Sequence, residues 1–268
     1  MIMNSYWWIS TEMISLGEPA PERMEKETVT RGWVKNGPLR LHYVDNNGRA
    51  KLTPLVVASG FASTAEDFVE IAKSLLPRHC VSLSLRGRGK SDTPGSGYSL
   101  DDHARDIASL VAGLEIKDIC VLAHSRGVPY AIRFATGHRR LVNGLVLLDY
   151  PARHSRPSQD WADSFLSSSF GKSAVPGRVR LQTVKGVQAE SYGEQLWEEL
   201  GEFDFPVLII RGGKEDSVLT DEDADLYTKY LKHGRVELFE ESSHDMWRPD
   251  YGKFIRTLKD FLSTLDQH

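Results

Sequence analysis

Cysteine is almost absent from this chain of 268 residues, which contains only Cys80 and Cys120. Each lies inside a short apolar run of the strand type, a pattern typical of buried, reduced thiols that pack as small hydrophobes. A chain of this length buries enough apolar surface to be stable without disulfide or metal cross-links. We therefore expect two free thiols, rather than a disulfide between adjacent strands, in a cytoplasmic protein.

Long hydrophobic runs and an excess of basic residues are also missing. No segment approaches the roughly 18 apolar residues of a membrane-spanning helix. The first residues, MIMNSYWWISTEMISLG, lack the basic start and the apolar stretch of a secretory signal. The formal net charge of −4 provides no general basic surface for nucleic acid. We expect a small-molecule substrate, with no nucleic-acid partner and no membrane partner.

The common cofactor and metal motifs are not found. The sequence has no His-Glu-x-x-His, no Cys-x-x-Cys and no Gly-x-Gly-x-x-Gly. Gly89-Lys90-Ser91 resembles the end of a phosphate-binding loop, but that motif requires glycine at position 84, where this chain has serine. We therefore expect neither a metal nor another cofactor.

What is present is an alternation of strands and helices. Residues 28–150 and 202–268 are predicted to form one core, in which short apolar strands alternate with amphipathic helices. Asn36-Gly37-Pro38 predicts a hairpin turn near its start, and Ser99 with Asp102 predicts a capping box at a helix start. Such an alternation is typical of α/β proteins, with a mostly parallel central sheet flanked by helices.

Two segments depart from this alternation. Residues 1–27 are predicted to be an N-terminal extension, in which Trp7 and Trp8 dock on the domain or form an oligomer contact; we favour docking. Residues 151–201 are rich in Ser, Arg, Pro and Gly and contain no clear core strand. An interval of that length favours an inserted helical cap.

The segment Ala123-His124-Ser125-Arg126-Gly127 lies between a buried strand and a helix. This is the setting of a nucleophile elbow, in which a tight turn holds a serine hydroxyl above the sheet. Ala123 and Gly127 are small, as the close backbone packing in such a turn requires. The motif alone is weak, since an ordinary strand-to-helix turn has the same pattern.

Further segments occur in an order that resembles the α/β-hydrolase superfamily, from about Thr28 to the end of the chain. Ser59-Gly60-Phe61 stands where that family has His-Gly-x, and Leu85 to Asp92 resembles its glycine-rich loop. The resemblance implies an oxyanion hole made by the backbone N–H groups of Phe61 and Arg126. The serine at position 59 is a departure with little consequence, because the donors are backbone groups.

The same resemblance implies a triad in the chain order serine, acid, histidine. His244 follows the last predicted strand and is the only histidine in the expected position after both partners. Two carboxylates compete for the acid, Asp216 after the strand Val207 to Ile210 and Asp149 after the strand Leu145 to Leu148. We favour Asp216, with Asp149 binding loop backbone or arginines.

The expected function is hydrolysis of a carboxylic ester, lactone or thioester by Ser125, His244 and Asp216. The alternatives on the same fold are C–C bond hydrolysis, cofactor-free oxygenation, or a ligand receptor with slow turnover. The Arg126 side chain is expected to pair either with an anionic group of the substrate or with an internal carboxylate such as Asp149.

Overall fold

A computed structural model describes residues 29–175 and 177–267. The predictions for the N-terminal extension, including the docking of Trp7 and Trp8, lie outside the described residues. None of the helices within those two ranges combines the length and apolarity that a membrane crossing requires.

The described residues contain one eight-stranded sheet with the strand order β1-β2-β4-β3-β5-β6-β9-β10. Its strands are β1 (Thr30–Asn36), β2 (Leu39–Asp45), β3 (Leu55–Ala58), β4 (Cys80–Leu83), β5 (Ile119–His124), β6 (Val142–Leu148), β9 (Val207–Gly212) and β10 (Gly234–Phe239). Two short strands, β7 (Arg153–His154) and β8 (Glu194–Gln195), form a separate antiparallel pair. The strands from β3 onward in the large sheet pair in parallel, whereas β1 and β2 are antiparallel.

Burial explains this arrangement. Every residue of β3, β4 and β5 is buried, as expected for parallel strands covered on both faces. The β1–β2 hairpin turns at Gly37, whose positive φ of 58° suits glycine, and this confirms the predicted turn. Cys80 and Cys120 are free and lie on either side of Leu55, and burial raises the pKa of both thiols.

Helices cover both faces of the sheet. They are α1 (Val69–Ser74), α2 (Leu100–Gly113), α3 (Gly127–Gly137), α4 (Trp161–Ser167), α5 (Ser169–Ala174), α6 (Leu181–Glu190), α7 (Trp197–Leu200), α8 (Asp221–Tyr230) and α9 (Tyr251–Leu265). Apolar residues of α2, α3 and α7 form one core cluster with the sheet, and those of α1 and α9 form the other. The predicted capping box at Ser99 and Asp102 is present at the start of α2.

The chain between β6 and β9 contains α4 to α7 and the β7–β8 pair. It includes the 151–201 interval predicted to be a cap. Residues of α4, α5 and α6 contribute to a small apolar cluster of their own, together with Phe61 and Ala62. In contrast, Trp197 and Leu200 of α7 pack into the main core cluster. The last part of the interval therefore packs as a core helix.

Parallel strands place their carboxyl ends at the same edge of a sheet. Five of the strands, β3, β5, β6, β9 and β10, are parallel neighbours in that order. The residues that follow them are the candidates singled out from the sequence, namely Phe61, Ser125, Asp149, Asp216 and His244. The topology therefore brings all five to one edge.

Candidate active site

Ser125 occupies a tight turn between β5 and α3. Its backbone has a positive φ of 54°, a left-handed conformation that costs a non-glycine residue roughly 1–2 kcal/mol. Gly127 permits the turn, because a Cβ there would lie 2.6 Å from the carbonyl oxygen of Ala58 and 2.7 Å from that of Ser59. The strand–turn–helix setting predicted for this motif is therefore present.

His244 lies in the loop between β10 and α9. Its Nδ1–H donates a hydrogen bond of 2.8 Å to Oδ2 of Asp149. The opposite ring nitrogen, Nε2, is then the unprotonated one in a neutral imidazole, and it has no hydrogen bond to another described residue. His244 and Ser125 line the same cavity. The imidazole and the serine thus lie on the wall of one cavity.

Asp149 is fully buried at the end of β6 and is held by several donors. Besides His244, it accepts hydrogen bonds from Ser217 Oγ (2.5 Å) and from the backbone N–H groups of Val218 (2.9 Å) and Leu219 (3.3 Å). Burial alone would raise the pKa of this carboxyl, but the hydrogen bonds from His244, Ser217 and Val218 hold it below its usual value. Asp149 is therefore a fixed carboxylate that orients the imidazole.

The structure corrects the acid predicted from the sequence. Asp216 is exposed on the turn after β9, whereas Asp149 makes the hydrogen bond to His244. The turn after β9 instead points Ser217 and the following N–H groups at Asp149. Asp216 remains on the cavity wall without contacting the histidine ring. Asp149 and Asp216 both follow strands that end at this edge, so only the distance of each carboxylate from His244 distinguishes the two residues.

The backbone N–H groups of Phe61 and Arg126 are predicted to form an oxyanion hole. They belong to segments that pack against each other. A Cβ on Gly60 would lie 3.1 Å from the Cβ of Ser125. Among the described residues neither N–H has a hydrogen-bond partner. Ser59 anchors its loop, because its buried hydroxyl donates to the Leu83 carbonyl at 3.1 Å.

The side chain of Arg126 follows neither of the two arrangements predicted for it. It does not line the cavity, and it does not pair with Asp149. Its Nη2 instead donates to Ser191 Oγ (2.7 Å) and to the Ser155 carbonyl (3.0 Å), and it lies 3.2 Å from His154 Nε2. Arg126 therefore joins the elbow to the chain that follows β6.

His124 is a member of the motif to which the sequence assigned no role. Its Nε2–H donates a hydrogen bond of 2.9 Å to the His244 carbonyl, and its ring centroid lies 4.7 Å from that of His244. Burial, and then the neighbouring His244 ring, lower the pKa of His124 to about 4. His124 is therefore a neutral donor that positions the His244 backbone, and only its place beside Ser125 could have suggested this.

The cavity has a volume of about 800 Å³, within the usual range of roughly 300–1,000 Å³ for small-molecule sites. The segment between β6 and β9 contributes Phe170 and Arg178, and Arg178 pairs with Asp67. The full set of lining residues is Gly60, Phe61, Ala62, Ser63, Asp67, Phe68, His124, Ser125, Phe170, Arg178, Asp216, Ser243, His244, Asp245, Trp247 and Arg248. Within residues 29–175 and 177–267, no three His, Cys, Asp or Glu side chains are grouped as a metal site requires.

Comparison with known proteins supports this architecture. Residues 53–168 match a family model described as the alpha/beta hydrolase fold. This segment is therefore similar to that family, and the chain as a whole has the α/β-hydrolase fold. It superposes on an esterase from Exiguobacterium antarcticum with a TM-score of 0.74 and 21% identity, covering 87% of this chain and 100% of the esterase.

Its curated relatives are named for different reactions. A non-heme chloroperoxidase from Kitasatospora aureofaciens is 26% identical over 227 residues, which are 68% of this chain and 82% of that protein. An N-formylmaleamate deformylase from Pseudomonas putida is 32% identical over 178 residues, which are 63% of this chain and 65% of the relative. Because these relatives are named for different reactions, the reaction of this chain has to be inferred from the geometry of its own site.

Proposed function

We propose that this protein is a serine hydrolase that cleaves a carboxylic ester, lactone or thioester of a small molecule. Ser125 is the nucleophile, His244 the general base and Asp149 the residue that orients the base. The proposal is carried by the 2.8 Å hydrogen bond from His244 Nδ1 to buried Asp149, beside a cavity that also contains Ser125 at its strained turn.

The roles follow from the protonation states. His244 Nε2 takes the proton of the Ser125 hydroxyl as Oγ attacks the carbonyl carbon of the substrate. The imidazolium then gives that proton to the departing alcohol or thiol, which leaves an acyl group on Ser125. Water attacks the acyl carbon while the same Nε2 takes its proton, and this proton returns to Oγ as the acid is released. Asp149 keeps Nδ1 protonated throughout and stabilises the imidazolium.

The negative charge that develops on the substrate oxygen is stabilised by the N–H groups of Phe61 and Arg126. Both are backbone donors without another described partner, so they need no rearrangement to bind an oxyanion. Removal of one such donor from a comparable site costs roughly 3–4 kcal/mol of transition-state stabilisation.

The cavity favours a small acyl substrate with an apolar part. Phe61, Phe68, Phe170 and Trp247 give its wall aromatic surface. The similarity to an esterase of the same fold supports ester chemistry, and the similarity to a deformylase adds an amide to the compounds that should be tested.

The test is active-site labelling combined with turnover of p-nitrophenyl acetate. The wild-type protein should react with a fluorophosphonate probe and hydrolyse the ester, whereas Ser125→Ala should do neither above a residual rate. Ser63→Ala is the matched control, because Ser63 lines the same cavity without belonging to the proposed machinery. The control should keep both activities.

Labelling of the folded Ser125→Ala variant would contradict the nucleophile assignment. A panel of acyl esters, lactones, thioesters, an N-formyl amide and a β-diketone then defines the substrate class. If the diketone is the only compound turned over, the proposed reaction would be C–C bond cleavage instead of ester hydrolysis.

A further inference from the structure

Two arginine side chains are buried beside the elbow without an ion pair to any described residue, and Asp106 acts on the charge of Arg88 only from beyond ion-pair distance. Arg88, from the glycine-rich loop, is 0% exposed, and Arg126 is 7% exposed. No Asp or Glu oxygen among the described residues lies within 4.0 Å of either guanidinium. A buried, unbalanced positive charge is strongly unfavourable, so two in one region require a counter-charge.

The nearby carboxylates are already engaged elsewhere. Asp106 lies 2.6 Å from Arg86 Nη2. Glu194 lies 3.0 Å from Arg133 Nη2. The buried arginines instead donate to neutral acceptors, and Arg88 reaches the Phe61 carbonyl at 3.0 Å through Nε. These neutral bonds satisfy part of each guanidinium but leave its charge unbalanced.

The neighbouring histidines are neutral. Arg88 Nη1 donates to His103 Nε2 at 2.8 Å, and His103 Nδ1 donates to the Ser99 carbonyl at 2.8 Å. A guanidinium cannot accept, so the hydrogen of the His103 ring is on Nδ1. Burial, and then the charge of Arg126, lower the pKa of His154 to about 3. His154 Nδ1 lies 3.9 Å from Glu194 Oε1, so this atom faces a carboxylate.

Three buried polar atoms in this region have no hydrogen-bond partner among the described residues and face no carboxylate, and all three can donate. They are Arg88 Nη2, Arg126 Nε and the Tyr130 hydroxyl. Ring contacts connect them into one cluster, because the His103 ring bound by Arg88 stacks on Tyr130 at 4.1 Å. The Tyr130 ring in turn lies 5.6 Å from His154.

We propose that the cluster of Arg88, Arg126 and Tyr130 binds a small monovalent anion, either a halide or the carboxylate of a small acid. Such a ligand only accepts hydrogen bonds and carries negative charge, so it matches both the unpaired donors and the two guanidinium groups that lack an ion pair. A water molecule is a poorer match, because it accepts about two hydrogen bonds and brings no charge.

This cluster is separate from the cavity of the proposed catalytic site. None of its three side chains lines that cavity. Phe61 lies between the cluster and the cavity, since Arg88 binds its carbonyl and the Arg88 guanidinium carbon is 5.5 Å from its ring centroid. The anion would connect the glycine-rich loop to the first turn of α3, so its expected effect is on stability rather than on substrate binding.

The decisive experiment is diffraction from wild-type protein that has been unfolded and refolded in sodium bromide. We expect an anomalous bromine peak in contact with Arg88 and Arg126. A water molecule, or no density, at the cluster would overturn the proposal. A second crystal, of protein that was never unfolded, distinguishes the sources, because a bound carboxylate gives flat density and a halide gives a single peak.

Thermal unfolding provides a measurement in solution. At constant ionic strength, replacement of sodium gluconate by chloride or formate should raise the Tm of the wild-type protein, since a ligand that binds only the folded state stabilises it. Tyr130→Phe keeps the ring that stacks on His103 and removes one donor. It should weaken the apparent anion affinity roughly tenfold, the value of one hydrogen bond to a charged ligand.

Tyr227→Phe is the matched control, because Tyr227 is also fully buried and its hydroxyl donates to the Tyr150 carbonyl outside the cluster. It should lower the Tm and leave the anion dependence unchanged. An equal anion dependence in both variants and the wild type would overturn the assignment of the site to this cluster.

Discussion

Two residues at this edge of the sheet, Ser125 and Asp149, share an unfavourable backbone conformation. Each directly follows a parallel strand, and each has a positive φ, 54° for Ser125 and 48° for Asp149. Aspartate adopts a positive φ more often than most residues, whereas the steric cost of that conformation is less well compensated in serine. The two turns place the hydroxyl and the carboxylate just beyond the ends of two adjacent strands. The backbone strain therefore occurs at the residues proposed to be catalytic.

The assignment of the acid can be tested by paired substitutions. Asp149→Asn should reduce kcat by about 10³–10⁴-fold, because an amide no longer keeps the required tautomer of His244 or stabilises its charge. Asp216→Asn should change kcat only a few-fold, since Asp216 is exposed and does not contact the ring. Steady-state kinetics on an ester, with circular dichroism to verify folding, measure both. A larger loss in Asp216→Asn would reject the assignment.

The backbone strain at Ser125 predicts that replacement by glycine stabilises the protein relative to replacement by alanine. Ser125→Gly should be more stable than Ser125→Ala by about 1 kcal/mol, because glycine adopts a positive φ without steric cost and alanine does not. Both variants should lack ester turnover. Urea unfolding of the two proteins makes the comparison, and an alanine variant as stable as the glycine variant would mean that the turn is unstrained.

At the scale of elements, the segment between β6 and β9 is attached to the core through the glycine-rich loop. The Gly89 N–H donates to the Arg178 carbonyl at 2.8 Å, and the Arg180 N–H donates to the Gly87 carbonyl at 3.1 Å. Gly87 and Gly89 both have positive φ. The loop thus connects the core to this segment, and the glycines allow its backbone to meet the other segment.

Gly87→Ala should weaken this attachment. A Cβ at position 87 would lie 1.8 Å from Thr183 Oγ1, and the backbone φ of 71° is unfavourable for alanine. We expect a loss of about 2 kcal/mol or more in the free energy of unfolding, from backbone strain and displacement of α6. The KM for esters should rise as well, because Arg178 beside this contact lines the cavity.

Gly137→Ala is the matched control for that measurement. A Cβ there would meet no atom within 4 Å, and the residue ends α3 without a positive φ. Its stability and KM should stay close to those of the wild-type protein. An equal effect of both substitutions would show that the contact with Thr183 has no special importance.

At the scale of the whole molecule, folding buries His42, His103, His124 and His154 and lowers the pKa of each, and acid stability is expected to depend mainly on the last three. Burial is the first cause in each case, and it lowers the pKa of His124 to about 4, that of His154 to about 3 and that of His103 well below the usual value. In the unfolded chain these groups titrate near 6.5. Protons are therefore taken up on unfolding at mildly acidic pH.

Stability should consequently decrease as the pH falls from about 6.5 towards 4, because only the unfolded state binds these protons in that window. Each such histidine contributes about 1.4 kcal/mol per pH unit. His124→Asn should reduce this slope by about one proton in urea unfolding. His233→Asn, at an exposed histidine, should leave it unchanged. An unaltered slope in His124→Asn would mean that His124 is protonated in the folded protein.

Much of this architecture follows from local pattern. The apolar strands, the Asn36-Gly37 hairpin, the Ser99 capping box and the turn at Ser125 each depend on a few neighbouring residues, so the sequence alone predicts them. The position of His244 at the active edge also follows, because a residue just after a parallel strand must lie where that strand ends.

Pairings between distant segments were decided only by the tertiary structure. Asp149 and Asp216 both follow strands that end at the same edge, and their order in the chain does not determine which oxygen reaches His244. Likewise, the partners of Arg126 come from residues 154, 155 and 191, brought together by the packing of the segment after β6. Strand periodicity and turn chemistry are local properties of a chain, whereas a hydrogen bond across 95 residues depends on distances that only the assembled sheet and its loops define.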